Sequence, residues 1–456
     1  MTESVAVVDG SREHKRILFG WYMYDWANSA FAVTILAALF GPYLSLVVVP
    51  TGGIDIPLFG MRAVSATSLY GYALGISAFF VLLTSPVLGA IADSTASKKR
   101  FLIFFCYLGS GSALMMVFVG PGDVWLAILL FMLANFGFIS SNVFYDSFLP
   151  HIARPKMQDV VSGKGYAYGY AGGGILFLLQ LLLVQFHGAF GIDEGTAVRL
   201  SLGSVGLWWG GFAIITFTRL PEPRVDAPPR SMTAIIADGF RRIIMTVNKI
   251  RSLRQMGLFL IAFMIYNDGI QTVIAMATIY GSEELGFDTM TLMGALLMIQ
   301  FIGIGGSQVF GALARRYGPK PMVLVALAIW TGVVIHAFFM TDPIEFWILG
   351  AVVGLVLGGS QALSRSLYSR IVPPSASAEF FGFFSVFEKF SAIWGPLVFA
   401  VIRQVTGSAR MSIISLVIFF VVGGILLAFV RLREAEAQRD ELDRYYDPAR
   451  DIPDTR

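Results

Sequence analysis

Charged side chains are scarce in this sequence of 456 residues, and cysteine occurs once. Asp, Glu, Lys and Arg make up 14% of the chain and hydrophobic residues 56%, whereas a soluble globular chain has about 25% charged residues. So few charges cannot cover the outside of a soluble protein with this much apolar surface. The imbalance excludes an ordinary cytosolic enzyme, a disordered protein and a nucleic-acid binder. It indicates a protein whose solvent is the lipid bilayer.

Catalytic and metal-binding signatures are also missing from the sequence. It contains no GxSxG, HExxH, Walker A or CxxC pattern, and with Cys106 alone no disulfide can form within the chain. His336 has no cysteine or histidine at metal-ligand spacing. No polar segment is long enough for a nucleotide-binding domain. We therefore expect no enzyme activity, no metal and no cofactor, and any transport has to use a solute or ion gradient.

Twelve apolar runs of about 20 residues dominate the chain, which is the length needed to cross the hydrocarbon core as a helix. Alternation at period two is absent, which excludes a strand-based barrel. The sequence therefore predicts an all-α integral membrane protein. The runs, numbered here as spans 1 to 12, cover about 17–49, 66–92, 99–120, 124–148, 163–186, 200–218, 256–280, 290–314, 320–340, 344–368, 380–404 and 409–431.

The basic residues are distributed unevenly between the two sides of these spans. If the N-terminus is cytoplasmic, the inner segments hold 28 of the 33 Lys and Arg residues, and the outer loops hold only Arg62, Arg199, Arg403 and Arg410. Cytoplasmic loops are enriched in Lys and Arg. The bias predicts that both termini lie in the cytoplasm.

The longest predicted loop, 219–255, divides the spans into two sets of six. It opens with a proline-rich stretch and continues with Ile236, Phe240, Ile243, Ile244 and Val247 at helical spacing, with arginines on the opposite face. This pattern predicts an amphipathic helix on the inner membrane surface. The predicted organisation is an N-terminal tail (1–16), a six-helix bundle (17–218), this linker (219–255), a second bundle (256–431) and a charged, solvated C-terminal tail (432–456).

The two sets of spans resemble each other in sequence, which indicates an internal repeat. Four stretches match nearly in register, and together they predict a duplicated six-helix unit of the kind found in many secondary transporters. The matched stretches are 141–148 with 360–367 and Gly163 with Gly382, both offset by 219 positions, Gly89–Asp93 with Gly311–Arg315, offset by 222, and Tyr24-Asp25 with Tyr266–Asp268, offset by about 242.

Two inner loops carry a shared glycine and charge motif. Gly89-x-x-x-Asp93 precedes Lys98-Lys99-Arg100, and Gly311-x-x-x-Arg315-Arg316 precedes Gly318 and Lys320. Both resemble the inner-loop signature of the major facilitator superfamily. The first copy lacks the Arg after Asp93 and the usual glycine-bearing turn, and the second has Arg315 where the pattern has Asp.

The first span allows a narrower match. Its sequence Gly20-Trp21-Tyr-Met-Tyr24-Asp25-Trp26-Ala27-Asn28-Ser29-Ala30-Phe31, together with 145–150 and 162–174, is similar to the family related to the fungal vacuolar amino-acid effluxers, also called the unknown major facilitator family. The resemblance covers nearly the whole chain. It implies two pseudo-symmetric six-helix bundles and alternating access through a central cavity lined mainly by spans 1, 4, 7 and 10. More loosely, it implies transport of an amino acid or a related small solute.

Ionisable residues inside spans are candidates for function, because each costs about 2.5–3.5 kcal/mol on insertion scales. Asp25 lies about 12 Å into span 1 and Asp268 about 18 Å into span 7, counting 1.5 Å per residue. We expect them to line the cavity and bind a proton, a cation or a substrate ammonium group. The alternative is a structural acid bonded to nearby amides or to a tyrosine hydroxyl. Further candidates for solute or proton binding are Tyr24, Asn28, Asn142, Tyr266 and Gln361.

A second set of charged residues is expected near the inner ends of the spans. Asp146 and Arg365 occupy equivalent positions in the repeat, so a salt bridge between them would form an inner gate. The alternative is that each pairs with loop charges. Asp93 joins the gating candidates through its motif.

Glu388 and Lys389 are adjacent in span 11. Neighbours on a helix point about 100° apart and need not pair with each other. Glu388 is therefore expected to contact Arg315 or Arg316 in the inner loop, and all four are candidate gating residues, since buried charges need partners. A structural gate is favoured over substrate binding for this pair.

Span 5 contains Gly165, Gly169 and Gly173 in a GxxxGxxxG run. Small residues allow close approach of helices in membranes, so we expect tight packing here. The alternative is a smooth face that slides during transport.

The favoured function is secondary active transport of a small polar solute, coupled to a proton or another cation. A cation-coupled sugar symporter and a lipid or lysolipid flippase remain open, as does a non-transporting receptor or scaffold. The expected partners are the solute, a coupling proton or cation and membrane lipid, with no nucleic acid. We expect a monomer in a bacterial inner (plasma) membrane.

Overall fold

A computed structural model describes residues 11–56, 61–223, 253–283, 285–287, 289–391 and 394–446. Within them, twelve helices are long and apolar enough to cross a membrane, which confirms the predicted all-α integral membrane fold. Spans 1 to 12 cover Arg12–Val48, Ala66–Thr95, Lys98–Phe118, Val124–Ile152, Pro155–Gln185, Glu194–Arg219, Arg254–Ala277, Thr291–Tyr317, Pro319–Phe339, Ile344–Ile371, Pro374–Thr406 and Ala409–Phe429.

Several spans contain more than one helical segment. Span 1 begins as an α-helix, Arg12–Ala30, and continues through π-helical turns at Phe31–Leu39 and Leu44–Val48. Its N-terminus is capped by Ser11, whose Oγ accepts from the backbone N–H of His14 at 3.0 Å. Span 4 consists of Val124–Ser147 and the short Leu149–Ile152, and span 12 of Ala409–Ser415 and Val417–Phe429. The helix of span 7 extends to Glu283, and that of span 8 begins at Thr289.

Span 11 is interrupted in its middle, which the apolar pattern did not predict. Its first segment is Ser377–Phe390 and its second is Trp394–Thr406. Ser391 ends the first segment, and Gly395 and Pro396 stand in the first turn of the second. The second segment therefore has its own N-terminus, with backbone N–H groups that no residue of the same helix can satisfy.

A short antiparallel hairpin lies in the connection between spans 1 and 2. Its strands are Ile54–Ile56 and Met61–Val64, and Ile54 pairs with Val64. Residues 57–60 between the strands lie outside the described residues.

The described residues form two compact units. One contains those within 1–83, 99–145 and 168–222, and the other contains those within 84–98, 146–167 and 223–456. In the first unit, the glycine face of span 5 packs on span 1. A β-carbon on Gly169 would lie 2.5 Å from Ser29 Oγ, and one on Gly173 would lie 3.2 Å from Val33. Tight packing at these two glycines is therefore confirmed.

In the second unit, two helix crossings repeat the same contact. Span 5 crosses span 8 where a β-carbon on Gly163 would lie 2.6 Å from Ser307 O. Span 11 crosses span 2 where a β-carbon on Gly382 would lie 2.9 Å from Ser85 O. Gly163 matches Gly382 and Ser307 matches Ser85 in the internal repeat. The duplication seen in the sequence is thus repeated in the packing.

The C-terminal segment differs from the solvated tail that its charge predicted. Residues Leu432–Tyr446 form a helix that buries Ala435, Leu442 and Asp443. Asp443 Oδ1 accepts from the backbone N–H of Ser375 at 2.9 Å and from its Oγ at 2.7 Å. Paired charges and a narrow apolar stripe allow this helix to dock on the loop between spans 10 and 11. The predicted amphipathic helix falls mostly in 224–252, outside the described residues, and so does the end of the tail from 447.

Candidate functional site

Because consecutive membrane-spanning helices cross in opposite directions, the start of span 1, the end of span 12 and the 2–3, 4–5, 8–9 and 10–11 loops belong to one side of the membrane, called here the termini side. The predicted candidates fall into two groups. Some lie within the spans, and the others lie at the termini side.

Asp25 is buried in span 1 and bonded to a tyrosine of span 4. Its Oδ2 accepts from the hydroxyl of Tyr145 at 2.7 Å, and 8% of the residue is exposed. Tyr145 is itself held by Trp21, whose indole N–H donates to Tyr145 O at 3.1 Å and whose ring stacks on the phenol at 4.6 Å. The carboxylate is therefore held in a fixed position by an aromatic cluster.

Asn28, one turn after Asp25 on span 1, and Asn142, one turn before Tyr145 on span 4, are also in contact. Asn28 Nδ2 donates to Asn142 Oδ1 at 2.5 Å, and Asn28 is 3% exposed. Tyr24 is fully buried and its hydroxyl lies beside Ser141 and Cys106. Spans 1 and 4 thus bring together four of the predicted binding residues, namely Tyr24, Asp25, Asn28 and Asn142.

Asp268 is buried at the break in span 11. Its Oδ1 accepts from the backbone N–H of Gly395 at 2.9 Å, at the start of the segment Trp394–Thr406. The preceding residue, Asn267, donates from Nδ2 to Ser391 Oγ at 2.6 Å, on the other side of the break. Span 7 therefore supports both ends of the interruption. A carboxylate at a helix N-terminus is favoured by the unpaired N–H groups and by the helix dipole.

The other two predicted residues of this group lie on spans 7 and 10. The Tyr266 hydroxyl is 2.7 Å from Ser364 Oγ, and Tyr266 is fully buried. Gln361 is half-buried one turn before Ser364. Asp25 and Asp268 have the partners that the structural alternative expected, a tyrosine hydroxyl and a backbone amide. Their role in binding a solute or proton stays a prediction.

At the termini side, Asp146 and Arg365 form the predicted ion pair. Arg365 Nη1 lies 3.0 Å from Asp146 Oδ1. The same guanidinium donates to Ser162 Oγ at 2.9 Å and to Ser162 O at 3.1 Å, and it lies 4.3 Å from the ring centre of Tyr166. With 3% of Arg365 exposed, the group joins the ends of spans 4, 5 and 10.

A second pair next to it was not anticipated from the sequence. Asp159 of span 5 forms a salt bridge with Arg370 of span 10 and accepts from Ser366 Oγ at 2.8 Å. Arg439 of the C-terminal helix donates to Arg370 O at 2.9 Å. Ser366 is adjacent to the predicted candidate Arg365, and Arg439 lies in the charged tail. Asp159 and Arg370 lie more than one helical turn from any predicted candidate, so no spacing in the sequence identified them.

Asp93 holds the start of span 11. Its two carboxylate oxygens accept from the backbone N–H groups of Ala378 at 3.2 Å and Glu379 at 2.8 Å, in the first turn of Ser377–Phe390. Lys98 Nζ lies 2.7 Å from Asp93 Oδ1, and both side chains are buried. The buried carboxylate therefore combines an ion pair with a helix N-cap.

Lys98 extends this group towards spans 4 and 11. Its ammonium lies 2.7 Å from Ser377 Oγ and 2.9 Å from His151 Nε2. Ser377 Oγ donates in turn to Ser147 O at 2.9 Å. Lys98 belongs to the inner-loop motif, and no pattern in the sequence indicates its partners.

The expected contact between Glu388 and the arginines of the 8–9 loop is wrong. Glu388 Oε1 lies 3.3 Å from Lys389 Nζ, so the adjacent residues pair with each other. Arg315 and Arg316 are exposed at the end of span 8. Glu388 lies at the far end of the first segment of span 11, about 16 Å along the helix from Ser377 at 1.5 Å per residue. That separation places it near the break, away from the loop.

Among the described residues, no group of His, Cys, Asp or Glu is arranged to hold a metal ion. The chemistry these residues can perform is hydrogen bonding, ion pairing and proton binding at a carboxylate. Buried acids within membrane spans mark pathways for ions and solutes. Together with ion-paired charges at the ends of the spans, they are consistent with a solute transporter.

Solved structures with the same fold are transporters of the major facilitator superfamily. The chain is similar to FucP in the outward conformation, with a TM-score of 0.66 and 12% identity over 92% of this chain and 98% of that one. It is similar to the proton:xylose symporter XylE, with a TM-score of 0.65 and 13% identity over 93% and 98%. At these identities, the likeness concerns the fold alone.

Sequence comparison identifies the family more narrowly. The profile described as "Vacuole effluxer Atg22 like" matches residues 13–440, and the chain belongs to this family. It is 36% identical to the MFS-type transporter YxiO of Bacillus subtilis (strain 168), over 90% of this chain and 94% of that protein. It is 27% identical to autophagy-related protein 22 of Kluyveromyces lactis, over 90% and 92%. The chain is therefore a transporter of the major facilitator superfamily and not an enzyme.

Proposed function

We propose that the protein moves a small polar solute, with amino acids favoured, across the membrane by alternating access coupled to a proton. The observation that carries this proposal is the environment of Asp268. It is 2% exposed in the middle of span 7, and its hydrogen bond comes from a backbone amide. Among the described residues it has no ion-pair partner. Neutralising this carboxylate therefore leaves no buried cation without its partner, unlike neutralising one member of a salt bridge.

The direction and the location of transport are part of the same proposal. The family description, a vacuole effluxer, names efflux out of a vacuole, which favours movement of the solute towards the cytoplasm. The bacterial relative favours a plasma membrane, and the basic residues favour cytoplasmic termini. Fusion of a fluorescent protein or of an alkaline phosphatase to the C-terminus distinguishes the two orientations.

The contacts at the termini side are proposed as the gate of this cycle. Asp93, Asp146 and Arg365 join the ends of spans 2, 4, 5, 10 and 11. Opening the termini side requires these bonds to break together. Arg315 and Arg316 at the exposed end of span 8, and the Glu388–Lys389 pair beside the break in span 11, remain proposed gating residues.

The test uses purified protein in proteoliposomes. A mixture of the twenty radiolabelled L-amino acids is offered with and without a pH gradient, and uptake is compared with exchange at equal pH on both sides. We expect Asp268→Asn to abolish gradient-driven uptake and to retain exchange, because the amide cannot take up a proton. The matched control is Glu194→Gln, an exposed acid. Uptake that is unaffected by both the gradient and Asp268→Asn would refute proton coupling.

A further inference from the structure

The interruption of span 11 creates a helix N-terminus in the middle of the second unit. The segment Trp394–Thr406 has 13 residues, and its first N–H groups carry the positive end of the helix dipole. Such a terminus binds anions, carboxylates included. Asp268 is the anion that occupies it, through the N–H groups of Trp394 and Gly395.

A second polar group is directed at the same point. Thr272 lies one helical turn after Asp268 and is fully buried. A β-carbon on Gly395 would collide with Thr272 Oγ1 and would lie 2.9 Å from Asp268 Oδ1. Among the described residues, Thr272 Oγ1 makes no hydrogen bond of normal geometry, although it lies close enough to the Asp268 carboxylate to stabilise it. A buried hydroxyl without a well-formed hydrogen bond costs free energy, so this donor is available to a carboxylate placed at the terminus.

We propose that this terminus, together with Thr272, binds the carboxylate group of the transported solute, and that Asp268 vacates it on taking up a proton. One carboxylate oxygen of the solute accepts from the N–H groups of Trp394 and Gly395, and the other accepts from the Thr272 hydroxyl. The proton comes from solution and stays on Asp268 while the solute is bound. The inference rests on the proposed function and gives the solute class as carboxylates.

The ionisable residues around Asp268 are compatible with replacement of its carboxylate by that of the solute. On span 11, the nearest ionisable residues along the chain are Glu388 and Lys389, which pair with each other at 3.3 Å. On span 7, Tyr266 is bonded to Ser364 of span 10. Span 12 presents Phe419 and Phe420 to Gly269, the residue after Asp268. Proton uptake by Asp268 therefore removes the negative charge at the terminus, and a solute carboxylate replaces it.

The neutral state of protonated Asp268 also explains why solute binding is coupled to proton uptake. A carboxylate solute and an ionised Asp268 compete for the same N–H groups, and two carboxylates in one site repel each other. Binding therefore requires the proton, and the proton is retained better once the solute is bound. This reciprocity is the thermodynamic requirement for coupled binding.

The test measures binding by purified full-length protein, with acetate labelled with carbon-13 as the probe and acetamide as the control. Infrared difference spectroscopy follows the carboxylic acid band of Asp268. We expect acetate, but not acetamide, to bind with uptake of one proton, and we expect the band to be absent in Asp268→Asn. Acetate affinity should rise about tenfold per pH unit of acidification, as one coupled proton requires.

Two substitutions separate this site from a structural cap. Thr272→Val should weaken acetate binding about tenfold, the effect of one lost hydrogen bond to a charged group, whereas Thr406→Val at the exposed end of the same segment should leave it unchanged. Asp268→Leu should bind acetate without proton uptake and with no dependence on pH. If Asp268→Leu does not fold, the comparison of Thr272→Val with Thr406→Val decides alone.

Equal binding of acetate and acetamide would overturn the inference, as would unchanged affinity in Thr272→Val. Its failure is distinct from failure of the proposed function. Proteoliposomes that move no amino acid while acetate binds with proton uptake contradict the transport proposal and leave the site standing. Proteoliposomes that move an amino acid and its amide equally well contradict the carboxylate site and leave transport standing.

Discussion

Asp146 and Arg365 face each other across the ends of spans 4 and 10, with Asp146 Oδ1 3.0 Å from Arg365 Nη1. They occupy the same position in the two copies of the internal repeat. The duplicated position has therefore acquired opposite charges, and the two copies bind each other through it. Because the arginine also bonds Ser162 at Oγ and O, the pair includes the start of span 5.

Neutralising this pair should open the termini side more often. In a Cys106→Ala background, a cysteine at Ser369, which is 1% exposed on span 10, reports opening through maleimide labelling. We expect Asp146→Asn to raise the labelling rate at least tenfold, corresponding to about 1.4 kcal/mol, because the buried guanidinium loses its ion pair.

The control for this substitution is Glu441→Gln, an exposed acid on the C-terminal helix. The charge-reversed double variant Asp146→Arg with Arg365→Asp should label more slowly than either single reversal. A double variant that shows no rescue would argue against a gate at this pair.

Loss of the Asp93 carboxylate should destabilise the protein more strongly. Asp93→Asn leaves the ammonium of Lys98 buried without its ion pair and weakens the cap of span 11. The expected loss of unfolding free energy is about 3–5 kcal/mol, measured by thermal unfolding in detergent. Replacing Lys98 by Met in the same protein should recover part of this loss, since the unpaired charge is removed. If Asp93→Asn alone unfolds at the wild-type temperature, the ion pair contributes nothing to the fold.

The glycines at the helix crossings should not tolerate a methyl group. A β-carbon on Gly382 would lie 2.9 Å from the carbonyl carbon and oxygen of Ser85, and backbone atoms cannot move aside as a flexible side chain can. We expect Gly382→Ala to cost about 1–3 kcal/mol through overpacking. Gly332→Ala is the control, because nothing lies within 4 Å of its β-carbon. Alanine there should be neutral or stabilise the helix by up to about 1 kcal/mol, so equal effects at both positions would contradict the close crossing.

The C-terminal helix should stabilise the loop between spans 10 and 11 through Asp443. Replacing Asp443 by Asn weakens its bonds to the Ser375 N–H and hydroxyl, and we expect a loss of about 1–3 kcal/mol, typical of hydrogen bonds to a charged group. Limited proteolysis near Ser375 should become faster. Glu441→Gln on the exposed face of the same helix should change neither measurement. Identical proteolysis rates in the two variants would show that the helix does not hold this loop.

Much of the candidate gate could be predicted from the sequence. The repeat offset placed Asp146 opposite Arg365 in the alignment, and the structure joins them. Asp159 and Arg370 could not be predicted in the same way. From the sequence pattern alone, a charged residue that pairs with another span looks the same as one that faces solvent. The contact assigned to Glu388 was wrong for a related reason. Hydropathy predicted span 11 but not the break within it. Glu388 lies near that break, away from the 8–9 loop.

The sequence by itself determined the solvent, the twelve spans and the duplication. Each follows from local composition, because a run of about 20 apolar residues has only the helix with which to satisfy its backbone in lipid. Only the tertiary structure decided that Asp268 caps a second helix segment and that Asp93 caps the first. It also decided that Thr272 points at the same terminus. These relationships depend on where one helix is interrupted beside another. That interruption is set by the packing of several spans at once, which no single stretch of sequence records.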